Sequence, residues 1–380
     1  MPKTINIIRP VGNNIITKRR ELSNSPFVPF HEHYYQSGTA SLAAAIIASH
    51  RLKPYIKHPE VIIPAYGCPD LVSASVYAGA IPVLVDIELN SPNMALEQIQ
   101  RSITVNTIAI VAVRFFGIAE QFIELKAICY NRGLILIEDS AQGFPVSKID
   151  TYWQGDLIIL SFGRGKPVNL LGGGVVLGRD SNLMKHLPQP VLQKESFADY
   201  IKQKVKLTIY NRSIHPLLYG LIMRLPGLSI GQTIYKTLEE INSISTFTHS
   251  LLAANLAAYQ NRIVAQKEYH DFLGTLPGKL IINIPGVLKH PMQSPLLRYP
   301  ILINDVSIRN KVYDELKNVG ASLMYQQPLH KIDRVEALIK NPGREYQNAC
   351  RLSEHLLTLP THESVTSKNR LTIKNVLQAL

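Results

Sequence analysis

Two apolar runs constrain this chain more than any other feature. Leu134–Ile137 (LILI) and Leu157–Leu160 (LIIL) have the length and polar, turn-forming flanks of buried strands. Each run ends in residues that carry chemistry. The first passes into Glu138-Asp139, with Gln142 three residues beyond the aspartate. The second passes into Ser161-Phe162, then a glycine-spaced turn bearing Lys166, then Gly172-Gly173-Gly174 and another short apolar strand. In an open α/β sheet a ligand sits in the crevice at the carboxyl ends of the strands. A carboxylate, an amide, a hydroxyl and an amine therefore converge on one crevice.

That set suits pyridoxal phosphate. The amine serves as Schiff-base lysine, the carboxylate partners the pyridinium nitrogen, and a polar group holds the ring oxygen. IEDSAQ, followed by GD, SFGRGK and GGGVV, resembles the DegT/StrS type of pyridoxal-phosphate aminotransferase. SGTAS at Ser37–Ser41, Pro300 and Leu359-Pro360 extend the likeness over most of the chain. The resemblance implies the fold type I architecture: α/β, a mainly parallel central sheet flanked by helices, and a smaller C-terminal α+β domain. In its terms Lys166 and Asp139 are catalytic, Gln142 binds the ring hydroxyl, and Ser161 binds the phosphate with Gly38, Thr39 and Ala40. It further implies a homodimer that moves an amino group from an amino acid, glutamate, to a nucleotide-linked keto-sugar in polysaccharide or secondary-metabolite synthesis. The family's dehydratase branch carries histidine in place of the lysine, so Lys166 argues against it.

At 380 residues the chain can bury a large core. The expected division is an arm over 1–30, a cofactor domain over 31–245 and a linking helix with a small domain over 246–380. No apolar run reaches the roughly 18 residues of a membrane span, and MPKTINIIRP lacks the features of a secretory signal. Cys68, Cys129 and Cys350 show neither disulfide nor metal-ligand spacing, which points to a reducing cytoplasm. The net charge of +12 asks for an explanation. No zinc-finger, RRM or helix-turn-helix signature supports nucleic acid; an anionic nucleotide-sugar, an anionic membrane or a generic basic surface each account for it.

Ser37–Ser41 opens an alanine-rich helical run whose amides and dipole favour an anion. Val61–Pro69 reads as a strand and turn, Asp70–Ala78 as a helix and Gly79–Glu88 as a strand. Ala95–Ile103 reads as a helix, Ile108–Gly117 as a buried strand and Gln121–Arg132 as a helix. This alternation is that of a mainly parallel sheet. Leu251–Leu273 reads as one long helix. Leu296–Asn304, Ser307–Val319 and a final helix over Tyr346–Leu357 build the smaller domain. His31-Glu32-His33 reads as a turn with structural or solvent-facing histidines, not as a metal site.

Three positions depart from the family pattern. Cys68 stands where an aromatic ring stacks on the pyridine, leaving Tyr66, or the Cys68 sulfur, for that face; simple turn packing explains both residues equally well. Arg114 stands where histidine is frequent and either meets an anionic substrate or serves as an ion-pair partner. Ser245-Thr246-Phe247 replaces an Asn-x-Arg that crosses the dimer. Residues 194–236 are both basic and apolar, and cover a dimer interface or the active-site mouth, or else touch a membrane surface. Two rival functions stand beside the main one: a catalytically idle cofactor-binding scaffold, and an aminotransferase acting on a non-sugar carbonyl.

Overall fold

The computed structural model describes residues 6–19, 24–147, 149–192, 194–224, 233–260, 265–276, 280–291 and 293–380. The first half runs β1 (His31–Tyr35), α1 (Gly38–Arg51), β2 (Glu60–Pro64), α2 (Asp70–Tyr77), β3 (Ile81–Val85), α3 (Leu96–Ser102), β4 (Thr107–Val113), α4 (Phe122–Arg132) and β5 (Ile135–Asp139). Then come α5 (Ile149–Tyr152), β6 (Leu157–Ser161), β7 (Gly174–Gly178), α6 (Ser181–Met184), α7 (Phe197–Ser213) and α8 (Pro216–Ile222). The remainder runs α9 (Thr246–Ser250), α10 (Leu252–Gln260), α11 (Gln266–Leu273), β8 (Ile281–Asn283), α12 (Ile284–Val287), β9 (Arg298–Ile303), α13 (Val306–Leu316), α14 (Gln347–His355), β10 (Leu356–Pro360) and α15 (Ser367–Gln378).

The large sheet has the order β1-β7-β6-β5-β4-β2-β3. Its strands β3, β2, β4, β5 and β6 pair in parallel, while β7 and β1 are antiparallel. Both faces are covered, which is why β2 (EVIIP) and β4 (TIAIVAV) are apolar almost throughout and buried at every position. Helix α1 lies on this sheet with Ala43, Ala44, Ala45 and Ala48 wholly buried. Its small side chains let the helix axis approach closely. Its entry is fixed by Ser37, whose hydroxyl accepts from the Ala40 amide at 3.1 Å. The glycine triplet explains itself here. A Cβ on Gly174 would stand 2.5 Å from the Ser37 carbonyl oxygen, so only glycine lets β7 pass under the start of α1.

A second, antiparallel sheet, β10-β9-β8, packs beside the first. The two are joined through the turn after β4. Phe116 takes a left-handed conformation (φ 61°), and its carbonyl accepts from Leu297 at 2.7 Å, just before β9. Next to it Gly117 has φ 100°, and a Cβ there would lie 2.7 Å from the Pro295 carbonyl oxygen.

Several expectations need correction. His31–His33 is an edge strand, not a turn; Glu32 between the histidines accepts from Ser25 at 2.7 Å. The helix expected over Tyr346–Leu357 stops at His355, because Leu356–Pro360 pairs with β9. It is not the final helix either: α15 follows, entered through a reciprocal Thr366–Asn369 cap and anchored by buried Ile373 and Leu377. Leu251–Leu273 is helical over α10 and α11, with residues 261–264 outside the described set. The segment 194–236 supplies α7 and α8, with 225–232 outside that set. The N-terminal arm does not hang free. Ile15 exchanges two hydrogen bonds with the Asn211 side chain of α7 (2.8 and 2.9 Å), and Ile16 two with Asn255 of α10 (2.9 and 3.0 Å).

Candidate active site

β5 and β6 run side by side in parallel, with Asp139 paired to Ile159. Their carboxyl ends therefore open on the same edge of the sheet. Asp139 ends β5, and its carboxylate accepts from the Ala141 amide at 3.0 Å. Burial pushes its carboxyl above the ordinary aspartate range, and the charge of Lys166 pulls it back. That opposition places the two groups in one electrostatic neighbourhood. Lys166 sits in the turn after β6, its amide donating to the Gly163 carbonyl at 3.2 Å. Gly165 beside it has φ 78°, a conformation that favours glycine. On its other side Lys166 lines a cavity of about 50 Å³ with Gly12, Asn13, Tyr259 and Thr361.

The mouth of α1 closes the crevice. A Cβ on Gly38 would lie 2.6 Å from Ser161 Cβ and 2.8 Å from its Oγ, so the helix start and the end of β6 touch only because residue 38 is glycine. Helix starts leave their first amides without an intrahelical acceptor. The start of α1 and the Ser161 hydroxyl are thus the groups here that could hold an anion. The Ala40 amide is already taken by Ser37.

Gln142 is buried and doubly engaged. Its Oε1 accepts from Phe116 at 3.0 Å and its Nε2 donates to the Tyr325 hydroxyl at 3.2 Å, which leaves one amide hydrogen for a ligand. Cys68 lies near Asp70, Lys166 and Asp139; burial, then the Asp70 charge, push its thiol up to about 12. It is a neutral, polarisable sulfur at physiological pH. Tyr66 is wholly buried, packed against Phe115 and Tyr325, with its hydroxyl donating to the Met324 carbonyl. It therefore has no open face on which a ligand ring could stack.

Arg114 is buried. Its guanidinium pairs with Glu138, donates to the Tyr152 carbonyl at 2.6 Å and lies over the Tyr152 and Phe122 rings. Of its two proposed roles, the ion-pair partner is the one observed. Ser245 caps α9 and also donates to Gln203 at 2.8 Å, while Phe247 is buried. Among the described residues one grouping has metal-ligand character: His330, Glu345 and Cys350. Lys331 already places an ammonium 3.4 Å from that carboxylate, and neither His31 nor His33 belongs to the group. Tyr325 escaped sequence reasoning because SLMYQQP carries no motif that would single it out.

The profile of the DegT/DnrJ/EryC1/StrS aminotransferase family matches residues 27–380. GDP-perosamine synthase of Vibrio cholerae is 34% identical over 122 residues, 31% of this chain, and the match spans only 33% of that protein. A dTDP-4-dehydro-2,3,6-trideoxy-D-glucose 4-aminotransferase of Saccharopolyspora spinosa is 25% identical over 91% of this chain and 83% of its own length. NtdA of Bacillus subtilis, solved with bound PMP, shares the fold with a TM-score of 0.65 at 17% identity, over 92% of this chain and 73% of that one.

Proposed function

The chain belongs to the DegT/DnrJ/EryC1/StrS aminotransferase family, and we propose that it moves an amino group from an amino acid, glutamate, onto a nucleotide-linked keto-sugar. The cofactor is pyridoxal 5'-phosphate, and the residues present fit it. Two amides and a hydroxyl would hold a phosphate, a carboxylate would face a ring nitrogen, and a lysine stands in the same neighbourhood. The observation that carries the reading is this meeting of Asp139, Ser161 and Lys166 with the mouth of α1.

When bound, the cofactor supplies an electron sink that acidifies the carbon bearing the amine. The protein's part follows from its own groups. Asp139 keeps a proton on the ring nitrogen, its ionised form favoured by the positive charge it faces. The remaining Gln142 amide hydrogen holds the ring oxygen, and its bond to Phe116 ties that contact to the joint between the two sheets. Gly38, Thr39 and Ser161 hold the phosphate. Lys166 would hold the cofactor through its amine and serve as the group that moves the proton. Cys68 offers its neutral sulfur to the crevice, while Tyr66 serves as core. An idle scaffold would gain nothing from a lysine poised beside a buried carboxylate. The names of the sequence relatives, enzymes of GDP- and dTDP-linked sugars, support the sugar acceptor over another carbonyl.

Glutamate added to the cofactor-loaded protein is expected to bleach its visible band and release 2-oxoglutarate. A panel of keto-sugar nucleotides should then restore the band. No response to any amino acid would leave the idle-scaffold reading; restoration only by non-sugar carbonyls would move the acceptor class.

We place this activity in a cytoplasmic homodimer, with the division at about residues 30 and 245 anticipated above. Among the described residues no helix is long and apolar enough to cross a membrane. One edge of α7 nevertheless carries exposed Phe197, Ile201, Val205 and Ile209 at four-residue spacing, flanked by Lys202, Lys204 and Lys206. A second copy of the chain is the occupant we assign, with an anionic membrane as its competitor. Sedimentation equilibrium should give a dimer. A monomer that floats with anionic vesicles would hand this edge to the membrane instead.

A further inference from the structure

We propose that the cavity between the arm, the α7–α8 insert and the three-stranded sheet binds the diphosphate group of the amino acceptor, with Arg298 as its principal ligand. This rests on the aminotransferase reading and adds how the acceptor is held. The cavity measures about 590 Å³, within the range of small-molecule sites. It reaches from Ile8 of the arm and Tyr219 of α8 to Arg298 and Tyr325. Arg164 and Gly165, which also line it, stand directly before Lys166. Tyr325 on its wall is the residue that binds Gln142. The cavity therefore adjoins the crevice where the amino group is transferred.

Its charge is one-sided. Among the described residues the charged side chains lining it are Arg9, Arg164, Arg298 and Lys317, and no carboxylate is among them. Two of these cations are engaged by the protein itself. Arg9 donates to the Gly12 and Ile214 carbonyls (2.7 and 2.9 Å), and Lys317 pairs with Asp314 at 2.7 Å. Among the described residues, neither Arg298 nor Arg164 has a carboxylate within ion-pair distance.

Arg298 is the telling case. It donates to the Ser322 hydroxyl through Nη1, while its Nε is buried with no partner. Burial pushes its pKa down to about 10, so the guanidinium stays charged at neutral pH in a setting that disfavours the charge. Arg298 as a whole is half-buried with a buried Nε, and a partly desolvated cation without a counter-charge is stabilised by a bound anion. A planar guanidinium matches phosphate oxygens in a two-pronged contact. The volume favours a diphosphate ester over the smaller donor amino acid.

The test is calorimetric titration of the cofactor-loaded protein with inorganic pyrophosphate; the loaded form keeps the anion cradle at α1 filled. Saturable binding is expected, weakened at least about tenfold by Arg298→Gln, partly restored by Arg298→Lys and weakened less by Arg164→Gln. Thermal unfolding checks that Arg298→Gln is folded; Arg164→Gln, at an exposed position, decides the matter if it is not. In the wild type, pyrophosphate should leave glutamate-driven bleaching intact. Unchanged pyrophosphate affinity in the glutamine variants would overturn the proposal. Absent binding, while glutamate still bleaches the band, would overturn it and leave the aminotransferase reading standing. Pyrophosphate that blocks bleaching would put the anion in the donor's place and overturn it as well. If glutamate never bleaches the band, the underlying reading falls first and takes this one with it.

Discussion

Lys166→Ala is expected to remove the visible band of the cofactor-loaded protein and to lower transamination by at least about 10⁴-fold, roughly 5.5 kcal/mol of barrier. The size of the effect comes from the several tasks that meet on one side chain. Its amine makes the covalent link and carries the proton, and its charge opposes the burial of Asp139. Alanine loses all of these, and the Asp139 carboxyl moves further above its ordinary range. Lys166→Arg separates them, since it keeps the charge and discards the nucleophile. If the covalent role dominates, arginine should be nearly as inactive as alanine, while Asp139 stays closer to its wild-type state. Stability should move little, because the lysine is only half-buried and the hydrogen bond that sets its turn is made by its backbone. Absorption spectra beside single-turnover rates with glutamate measure both effects. A variant without the lysine that kept band and rate would end the assignment.

Glu138→Ala should cost about 3–5 kcal/mol of stability, more than Arg114→Met. Glu138 is fully buried at the end of β5, one residue before Asp139. Its Oε1 pairs with Arg114, and its Oε2 accepts from the amides of Gln154 and Gly155 at 2.6 and 2.9 Å. Removing it strands a buried guanidinium, the buried Gly155 amide and the half-buried Gln154 amide together. Removing Arg114 leaves the carboxylate with its two amides, and the ring faces of Tyr152 and Phe122 lose only a cation. The double variant Arg114→Met/Glu138→Met should recover part of the loss, because no unpaired charge remains. Urea midpoints of the singles and the double test this. A Glu138→Ala midpoint within error of wild type would show that the pair does not hold this end of the sheet. The same variant should weaken cofactor retention, since Asp139 depends on the anchored end of β5.

The crevice was legible in sequence because its main parts obey local rules. LILI and LIIL each end in the polar residues they deliver, and a parallel sheet brings those ends to one edge whatever the rest of the chain does. Gly38 was placed by the resemblance of SGTAS to the family; that a Cβ there would collide with Ser161 only the structure showed. Arg114 was narrowed to two roles, and the structure showed the ion pair. Tyr66 was left open between ring stacking and turn packing, because nothing local reveals that it is wholly buried against Phe115 and Tyr325. Gln142 shows the same boundary from the other side. The amide was placed in the crevice, but one of its two observed partners comes from 183 residues away.

The sequence by itself determined the fold class and the order of strands and helices from α1 to β5. These rest on periodicity, burial and turn chemistry, which act over a few residues. Only the tertiary structure decided that Leu356–Pro360 is a strand, since β9 supplies its hydrogen bonds, and that the arm is clamped by Asn211 and Asn255. It alone brought Arg298 to the same cavity as Arg164, 134 positions distant in a chain of 380 residues. Such contacts depend on how separate elements pack, and no local pattern of apolar and polar residues encodes which of them will face each other.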